Sequence, residues 1–460
     1  MMSNNKTVFI LGAGASASAN IPTQSGILSH IFSINRSTFD LLQPESDFLS
    51  LQIDERLQRI ESYYPRFDEY RRVLGDFILT NFSSEKKAIQ YKTFLQNAID
   101  TKVSSTESQN EKDAFLFKAY EIVKSIGVTL EDVFTIFDSV ATGREHFRLY
   151  SPALMAELHQ KLKMCIIYSL AVSIANCERE NDYCAFCDYL MEKRLFSSSN
   201  DDPFSIITTN WDDLLERKLY ALCEKHNRSL SANQKKVLLD LCFYNYDLGN
   251  NKKHIPSTQV KAKGHRNIKI LKMHGSLAWL ECPRCKRIFT DFSDEIAAEE
   301  FSDLSCPYCY NEQEEEKCNP TLRNLIITPT FLKSLDNLNI KNIWQNAFID
   351  ISEATKLVFI GYSFPDADFE MRCLLKKAIR KDATIDVVLR QSNNPDAILK
   401  DYIEHEYSEE EAKSKIARMN LPSSRYTAFF GEDKVRFFYD GFSSYISILR
   451  GSVNEKKAIK

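Results

Sequence analysis

Two cysteine pairs constrain this chain more than any other feature. Cys282-Pro-Arg-Cys285 is followed, after 20 intervening residues, by Cys306-Pro-Tyr-Cys309. Two such knuckles can bring four thiolates around one tetrahedral Zn2+. Four thiolates leave the ion no open position, so the spacing predicts a structural zinc and a small ribbon-like module around it. The competing reading is four unrelated thiols. The chain has 12 cysteines. The remaining ones are scattered like buried core thiols, not spaced like a disulfide framework. Cys184-x-x-Cys187 sits inside a helical pattern with no second pair, and chance explains it better. A reducing, cytoplasmic setting is the expectation.

Composition narrows the class further. With 43% hydrophobic and 27% charged residues over 460 positions, the chain is of ordinary globular type. A net charge of −4 argues against a strongly basic nucleic-acid binder. No run approaches the roughly 20 apolar residues of a membrane helix. Lys6 precedes the small, apolar run Val8–Ala19, which has some signal-peptide character. The run reads better as a strand turning into a glycine-containing loop. Glycine is scarce, 13 residues in all, so paired glycines in a motif carry weight.

Short continuous apolar runs bounded by turn residues predict strands at Thr7–Leu11, Phe204–Thr208, Ile268–Met273, Leu325–Thr328, Leu357–Ile360, Thr384–Leu389 and Val435–Tyr439. Helical stretches such as Asp213–Glu224 and Ile343–Ala354 separate them. Alternating strand and helix predicts an α/β fold with a Rossmann-like, doubly wound parallel sheet. From about Ile27 to Arg194 helical spacing takes over, over Glu111–Val140 and Gln160–Ala175 in particular. Gly127 breaks the first of these, and Thr129 with Asp132 restarts it as a capping pair. Ser104–Asn110 reads as a loop. The expected organisation is a sheet domain from 1–30, 200–275 and 320–450, a large helical insertion over 31–199, a four-cysteine zinc-ribbon module over 276–319, and a loose tail over 451–460.

Four polar motifs fall where predicted strands end, the edge at which parallel sheets bind ligands. Gly12-Ala-Gly-Ala-Ser-Ala17 approximates a dinucleotide-binding loop, in which glycines let backbone amides approach a pyrophosphate. No acidic ribose partner follows about 20 residues on, which disfavours an ordinary dehydrogenase. Thr208-Thr-Asn-Trp-Asp212 follows the second strand; its simpler reading is a turn capping the next helix. His274-Gly275-Ser276 ends another strand, although a lone histidine is more often structural. Gly361-Tyr-Ser-Phe-Pro-Asp366 ends the next and suits phosphate or ribose. Two charge runs read as solvated: Glu312–Glu316, and the basic series Lys252, Lys253, Lys261, Lys263, Arg266, Lys269 and Lys272. No aromatic residue interleaves with the basic series, as single-stranded nucleic-acid binding would want.

Taken in order, these motifs resemble the sirtuin (silent information regulator) family. The resemblance covers residues 7–26, 204–220 and 268–392 and does not explain the helical block. It implies cleavage of the nicotinamide–ribose bond of NAD+, which is substrate and not a resident cofactor, beside a structural zinc held by Cys282, Cys285, Cys306 and Cys309. By the same resemblance Asn210 organises the ribose and a water, Asp212 helps hold the ribose, and His274 is the general base. Gly12, Ala13, Gly14, Ser16, Thr209, Gly361 and Ser363 belong to the NAD+-binding loops.

The departures from the family pattern choose a branch. Protein-deacylating sirtuins carry Asp-Phe-Arg after Ile-Pro; here Ile21-Pro22 leads to Thr23-Gln24-Ser25. They carry Gln before the key Asn; here it is Thr209. They carry Phe-Gly-Glu after the ribbon; here Thr328-Pro329-Thr330 stands there, and Phe430-Gly431-Glu432 comes about 100 residues too late. This pattern is similar to the prokaryotic sirtuin-like NAD+ hydrolases of anti-phage defence, which share Asp-Val-Phe, here Asp132-Val133-Phe134, and Gly-Tyr-Ser-x-Pro-Asp. The resemblance implies an NADase that depletes NAD+ on activation. It also implies that the chain works as a homo-oligomer or with a separate partner, such as a DNA-translocating ATPase or another phage sensor, and away from membranes. The alternatives are an NAD-dependent protein deacylase and a non-catalytic NAD or ADP-ribose sensor.

Overall fold

A computed structural model describes residues 6–34, 50–82, 125, 128–175, 177, 181–198, 201–231, 233–242, 245–247, 254–255, 265–290, 305–306, 308–309, 320–328, 337–405 and 407–458. Its strands are β1 (Thr7–Leu11), β2 (Phe204–Thr208), β3 (Val237–Asp240), β4 (Asn245–Asp247), β5 (His254–Ile255), β6 (Arg266–Lys272), β7 (Gly275–Glu281), β8 (Ile288–Thr290), β9 (Arg323–Ile326), β10 (Lys356–Ile360), β11 (Thr384–Val388) and β12 (Val435–Phe438).

Seven strands form one sheet in the order β12-β11-β10-β1-β2-β6-β3. Every pairing in it is parallel. The central strands are buried almost throughout, because helices cover both faces. That double burial is why they read as unbroken apolar runs and not as alternating ones. The register sets where the connecting loops emerge. Leu11 lies level with Thr208 and Ile360, Thr208 with Lys272, and Ile360 with Val388. The loops that begin at Gly12, Thr209, Met273, Gly361 and Leu389 therefore leave the sheet side by side.

The helical block contains Ile27–Ser33, Ser50–Phe82, Leu130–Gly143 and Pro152–Ala175. Pro152–Ala175 is buried along most of its length, and the other three pack against it. Phe67 stacks on Tyr168 at 4.3 Å. The capping pair expected at Thr129 and Asp132 is present: the Thr129 amide donates to Asp132 at 2.9 Å and the Asp132 amide to Thr129 Oγ1 at 3.2 Å. Asp182–Phe196 links the block to the sheet, packing on Leu214–Arg228 and on Gly441–Ala458.

Three expectations change. Leu325–Thr328 was expected in the large sheet, but β9 belongs to a second, five-stranded sheet of order β5-β4-β8-β7-β9. Residues 451–458, expected to be loose, continue the helix Gly441–Ala458. In the basic series, Lys269 and Lys272 do not form a solvated face. Lys269 pairs with Asp350 at 2.9 Å, and the fully buried Lys272 pairs with Glu216 at 2.6 Å. Lys252, Lys253, Lys261, Lys263, the run Glu312–Glu316, the loop Ser104–Asn110 and the pattern over 111–124 lie outside the described residues.

Candidate active site

A cavity of about 650 Å3 opens where the loops leave the large sheet. Ala13, Gly14, Ser16, Thr209, Asn210, Asp212, His274, Gly361 and Ser363 all line it. These residues come from four separate strand ends, and the parallel register brings them to one level.

Gly12 is the exception among the predicted residues and does not line the cavity. A Cβ on Gly12 would sit 2.5 Å from the Cα of Tyr362, so this glycine lets the β1 and β10 loops touch. Gly361 completes the contact. Its φ of +60° is a left-handed conformation, and a Cβ there would lie 2.1 Å from the Ala15 nitrogen. The Gly14 amide donates to the Gly361 carbonyl at 2.8 Å. Gly12 and Gly361 thus lock two loops of the protein together, a packing role that the dinucleotide-loop reading does not anticipate.

The polar centre of the cavity is a buried network. Asn210 Nδ2 donates to the Gly12 carbonyl and to Ser16 Oγ, both at 3.0 Å. A carbonyl can only accept, so Gly12 fixes which end of the Asn210 amide is nitrogen. The opposite atom, Asn210 Oδ1, is buried and has no hydrogen-bond partner among the described residues. Ser16 Oγ donates to Asp212 Oδ2 at 2.7 Å, and Tyr183 OH lies 3.0 Å from the same serine and 3.4 Å from Asn210 Nδ2. Burial pushes the Asp212 carboxyl up, against the pull of Lys272 and Ser16. Burial and the neighbouring Asp212 push the Tyr183 phenol well up, so it stays a donor. Beneath Asp212, Lys272 Nζ donates to its backbone carbonyl at 2.5 Å while pairing with Glu216.

His274 is buried and also faces the cavity. Its Nε2 lies 3.3 Å from Asp368 Oδ1, and Tyr362 OH donates to Asp368 Oδ2 at 2.7 Å. The backbone around it is pinned: the His274 carbonyl accepts from the Ile327 amide at 2.8 Å, and Trp344 Nε1 donates to the Met273 carbonyl at 3.1 Å. The simpler reading of the Thr208–Asp212 segment, a turn capping the next helix, holds only in part. Asp213 is the N-cap of Leu214–Arg228 but makes no side-chain capping bond, while Asn210 reaches across to the β1 loop.

The four predicted thiols do meet. Cys282 and Cys309 lie 3.6 Å apart, Cys285 and Cys306 3.8 Å, and all four sulfurs lie within 4.8 Å of one another. Zn–S bonds of about 2.3 Å in a tetrahedron require sulfurs about 3.8 Å apart, so the donor set fits Zn2+. The cluster sits at the far end of β7, about 20 Å of strand beyond His274. It lies beside the paired strands β7, β8 and β9, and none of its four cysteines lines the cavity. Trp211 Nε1 donates to the Ile327 carbonyl at 3.1 Å and so ties the cavity to this module.

Residues 205–416 match the family model described as a SIR2-like domain. Over that span the chain is similar to a SIR2-like domain. That span includes Asn210, Asp212, His274, the four cysteines, Gly361, Ser363 and Asp368, and leaves out the β1 loop and the helical block. A SIR2-like domain implies NAD-using enzyme chemistry. Solved structures similar to the chain include a Sir2 homologue–ADP ribose complex, at 13% identity over 99% of this chain and 94% of that one, with a TM-score of 0.33. A Sir2 homolog–NAD complex matches at 12% identity over 97% and 90%, with a TM-score of 0.31. A search of curated proteins found no match.

Two residues of the site escape a reading of the sequence. Tyr183 lies in the helical block, 27 positions from Asn210, and no motif marks it. Asp368 lies two residues past the Gly361–Asp366 motif, and only its spacing from a strand end hints at it. The helical block also supplies Glu131 and Leu170 to the cavity wall. Gln24 donates to Glu131 there, and burial pushes the Glu131 carboxyl up.

Proposed function

We propose that this SIR2-like domain is an NAD+ glycohydrolase that splits NAD+ into nicotinamide and ADP-ribose. The observation that carries the reading is Asn210 Oδ1, a buried acceptor on a cavity-lining residue with no partner among the described residues. A buried amide oxygen left without a donor costs about 1–3 kcal/mol. A bound water or ribose hydroxyl relieves that cost. Asn210 would thus present a water to the anomeric carbon, with its own amide held still by Gly12 and Ser16.

The chemistry needs little more. Nicotinamide leaves as a neutral group from a cationic bond, through a state with oxocarbenium character. Asp212, if ionised, adds negative potential beside that centre. His274, which lines the same cavity, would take a proton from water or from a ribose hydroxyl. Thr23-Gln24-Ser25 line the cavity where deacylases carry Asp-Phe-Arg. Phe430 packs against Phe364 and Tyr426. These departures favour water over acyl-lysine as the nucleophile.

By its resemblance to defence NADases, the chain would act as an anti-phage effector whose turnover is raised by self-assembly or by a separate phage-sensing partner. The test is product analysis by mass spectrometry, with NAD+ and an acetyl-lysine peptide present together in H2(18)O. Labelled ADP-ribose and an unchanged peptide are expected. A deacetylated peptide with 2′-O-acetyl-ADP-ribose would establish the deacylase instead. Tight NAD+ binding with no nicotinamide released would establish a sensor.

A further inference from the structure

We propose that Arg390 and Arg425 bind a phosphate carried on the adenosine ribose, so that the cavity takes NADP+ in preference to NAD+. This deepens, and rests on, the reading of the cavity as a nicotinamide dinucleotide site.

The placement follows from the sheet. Leu11 is level with Thr208 and Ile360, and Ile360 with Val388. Asn210 lies two residues past Thr208, and Arg390 two past Val388. Three strand spacings separate them, about 14 Å. A dinucleotide cleaved beside Asn210 lays its pyrophosphate across the loops after β1 and β10, and its second ribose reaches the loop after β11. That loop folds into a short 3₁₀ turn over Gln391–Asn393, with the Asn393 amide donating to the Arg390 carbonyl at 2.9 Å. The Gly441 amide holds its start, donating to the Leu389 carbonyl at 3.1 Å.

The charge at this end favours an anion. In dinucleotide sites an acidic side chain accepts from the ribose 2′-hydroxyl of NAD+, and an arginine accommodates the 2′-phosphate of NADP+. Arg390, Ser392, Asn393 and Arg425 line the cavity. The four carboxylates on its wall, Glu131, Asp182, Asp212 and Asp368, all come from segments before β11. Asp440, which follows β12, accepts from Gln391 Nε2 at 2.9 Å and does not line the cavity. Neither Arg390 nor Arg425 is paired with a carboxylate among the described residues. Arg425 Nε is buried and has no hydrogen-bond partner among them. Burial pushes the Arg425 guanidinium down from its ordinary value, and Asp366 opposes this through space but pairs with Arg372. A phosphate would offset that burial with charge-assisted bonds, which the guanidinium fork suits.

The test uses the full-length chain and two ligands without nicotinamide, adenosine 2′,5′-bisphosphate and adenosine 5′-monophosphate. They differ only in the 2′-phosphate. In isothermal titration calorimetry the bisphosphate should bind about tenfold more tightly or better. Arg390→Gln and Arg425→Gln should each lower that ratio, and the double variant should bring it to about one. Arg380→Gln controls for overall charge. Arg380 pairs with Asp382 at the opposite end of β11 and does not line the cavity, so its loss should leave the ratio unchanged. In turnover, kcat/KM for NADP+ should exceed that for NAD+ by about tenfold, and the double variant should lose the preference.

Equal affinity for the two ligands overturns the proposal. So does a preference that survives the double substitution or falls as far in Arg380→Gln. The calorimetry needs no turnover. A chain that prefers the bisphosphate but releases nicotinamide from neither dinucleotide would sink the proposed hydrolase and leave the arginine site standing. Nicotinamide release with no preference for the bisphosphate would do the reverse.

Discussion

The two edges of the large sheet both gather buried polar groups, and they differ in charge and in whether they open on the cavity. At the edge where the strands begin, Lys6 pairs with Asp202 and Asp350 at 2.6 Å and with Glu353 at 3.0 Å, and Lys269 joins Asp202 and Asp350. Every charge there has a counter-charge, although Asp350 Oδ2 is buried with no hydrogen-bond partner among the described residues. The three carboxylates come close enough to suggest a metal site, but two ammonium groups already stand among them. At the edge where the strands end, Asn210, Ser16, Asp212 and Tyr183 are linked just as closely, yet Asn210 Oδ1 is left over. What separates them is that the first edge is held by paired charges away from the cavity, whereas Asn210, Ser16 and Asp212 line it.

The sharpest way to break this comparison is to remove a charge from the paired edge. Lys6→Met should destabilise the chain by about 3 kcal/mol in urea unfolding, because it strips one cation from the nearly fully buried Asp350. Activity per folded molecule should survive. A loss of turnover without a loss of stability would mean that this edge is also functional.

A smaller effect is expected at the seam between the helical block and the open edge. Tyr183→Phe removes the hydroxyl beside Ser16 and Asn210 but leaves the ring packed against Phe442. Stability should fall by about 1 kcal/mol. NAD+ turnover should fall about tenfold, because Asn210 and Ser16 lose a partner that orders them. Unchanged kinetics would reduce the helical block to a wall.

The smallest effect is a slope. Burial pushes the Glu216 carboxyl up to about 7 even beside Lys272, from an ordinary value near 4.5. The folded chain therefore holds this proton over a range in which the unfolded chain has released it. The stability this group contributes is fully present below about pH 4.5 and is lost as pH rises through about 7. Glu216→Gln should flatten stability against pH in that window, read from urea midpoints. A parallel profile would show that Lys272 keeps Glu216 ionised throughout.

Legibility follows the range of the interactions. β1 and β2 can be read residue for residue, because burial on both faces leaves an unbroken apolar run. The capping pair at Thr129 is just as local. β9 reads as a strand of the wrong sheet because an apolar run looks the same in either. β4, β5 and β8 have only two or three residues each. The cysteine module and their neighbours hold them, so no periodicity announces them. Nine of the ten predicted cavity residues line the cavity because strand ends in a parallel sheet must converge. The tenth, Gly12, misleads because a glycine needed for close backbone packing looks the same as one needed for phosphate. Lys269 and Lys272 read as surface because their partners, Asp350 and Glu216, are distant in sequence. Tyr183 and Asp368 stay hidden for the same reason.

The most direct measurement is nicotinamide release from NAD+ per folded molecule, with Asn210→Ala, His274→Ala and Lys6→Met run beside wild type. The account predicts release by wild type and Lys6→Met, and a loss of about 10²–10⁴-fold in each of the other two with their unfolding midpoints little changed. Release by Asn210→Ala at the wild-type rate would contradict it, as would NAD+ left intact by every variant.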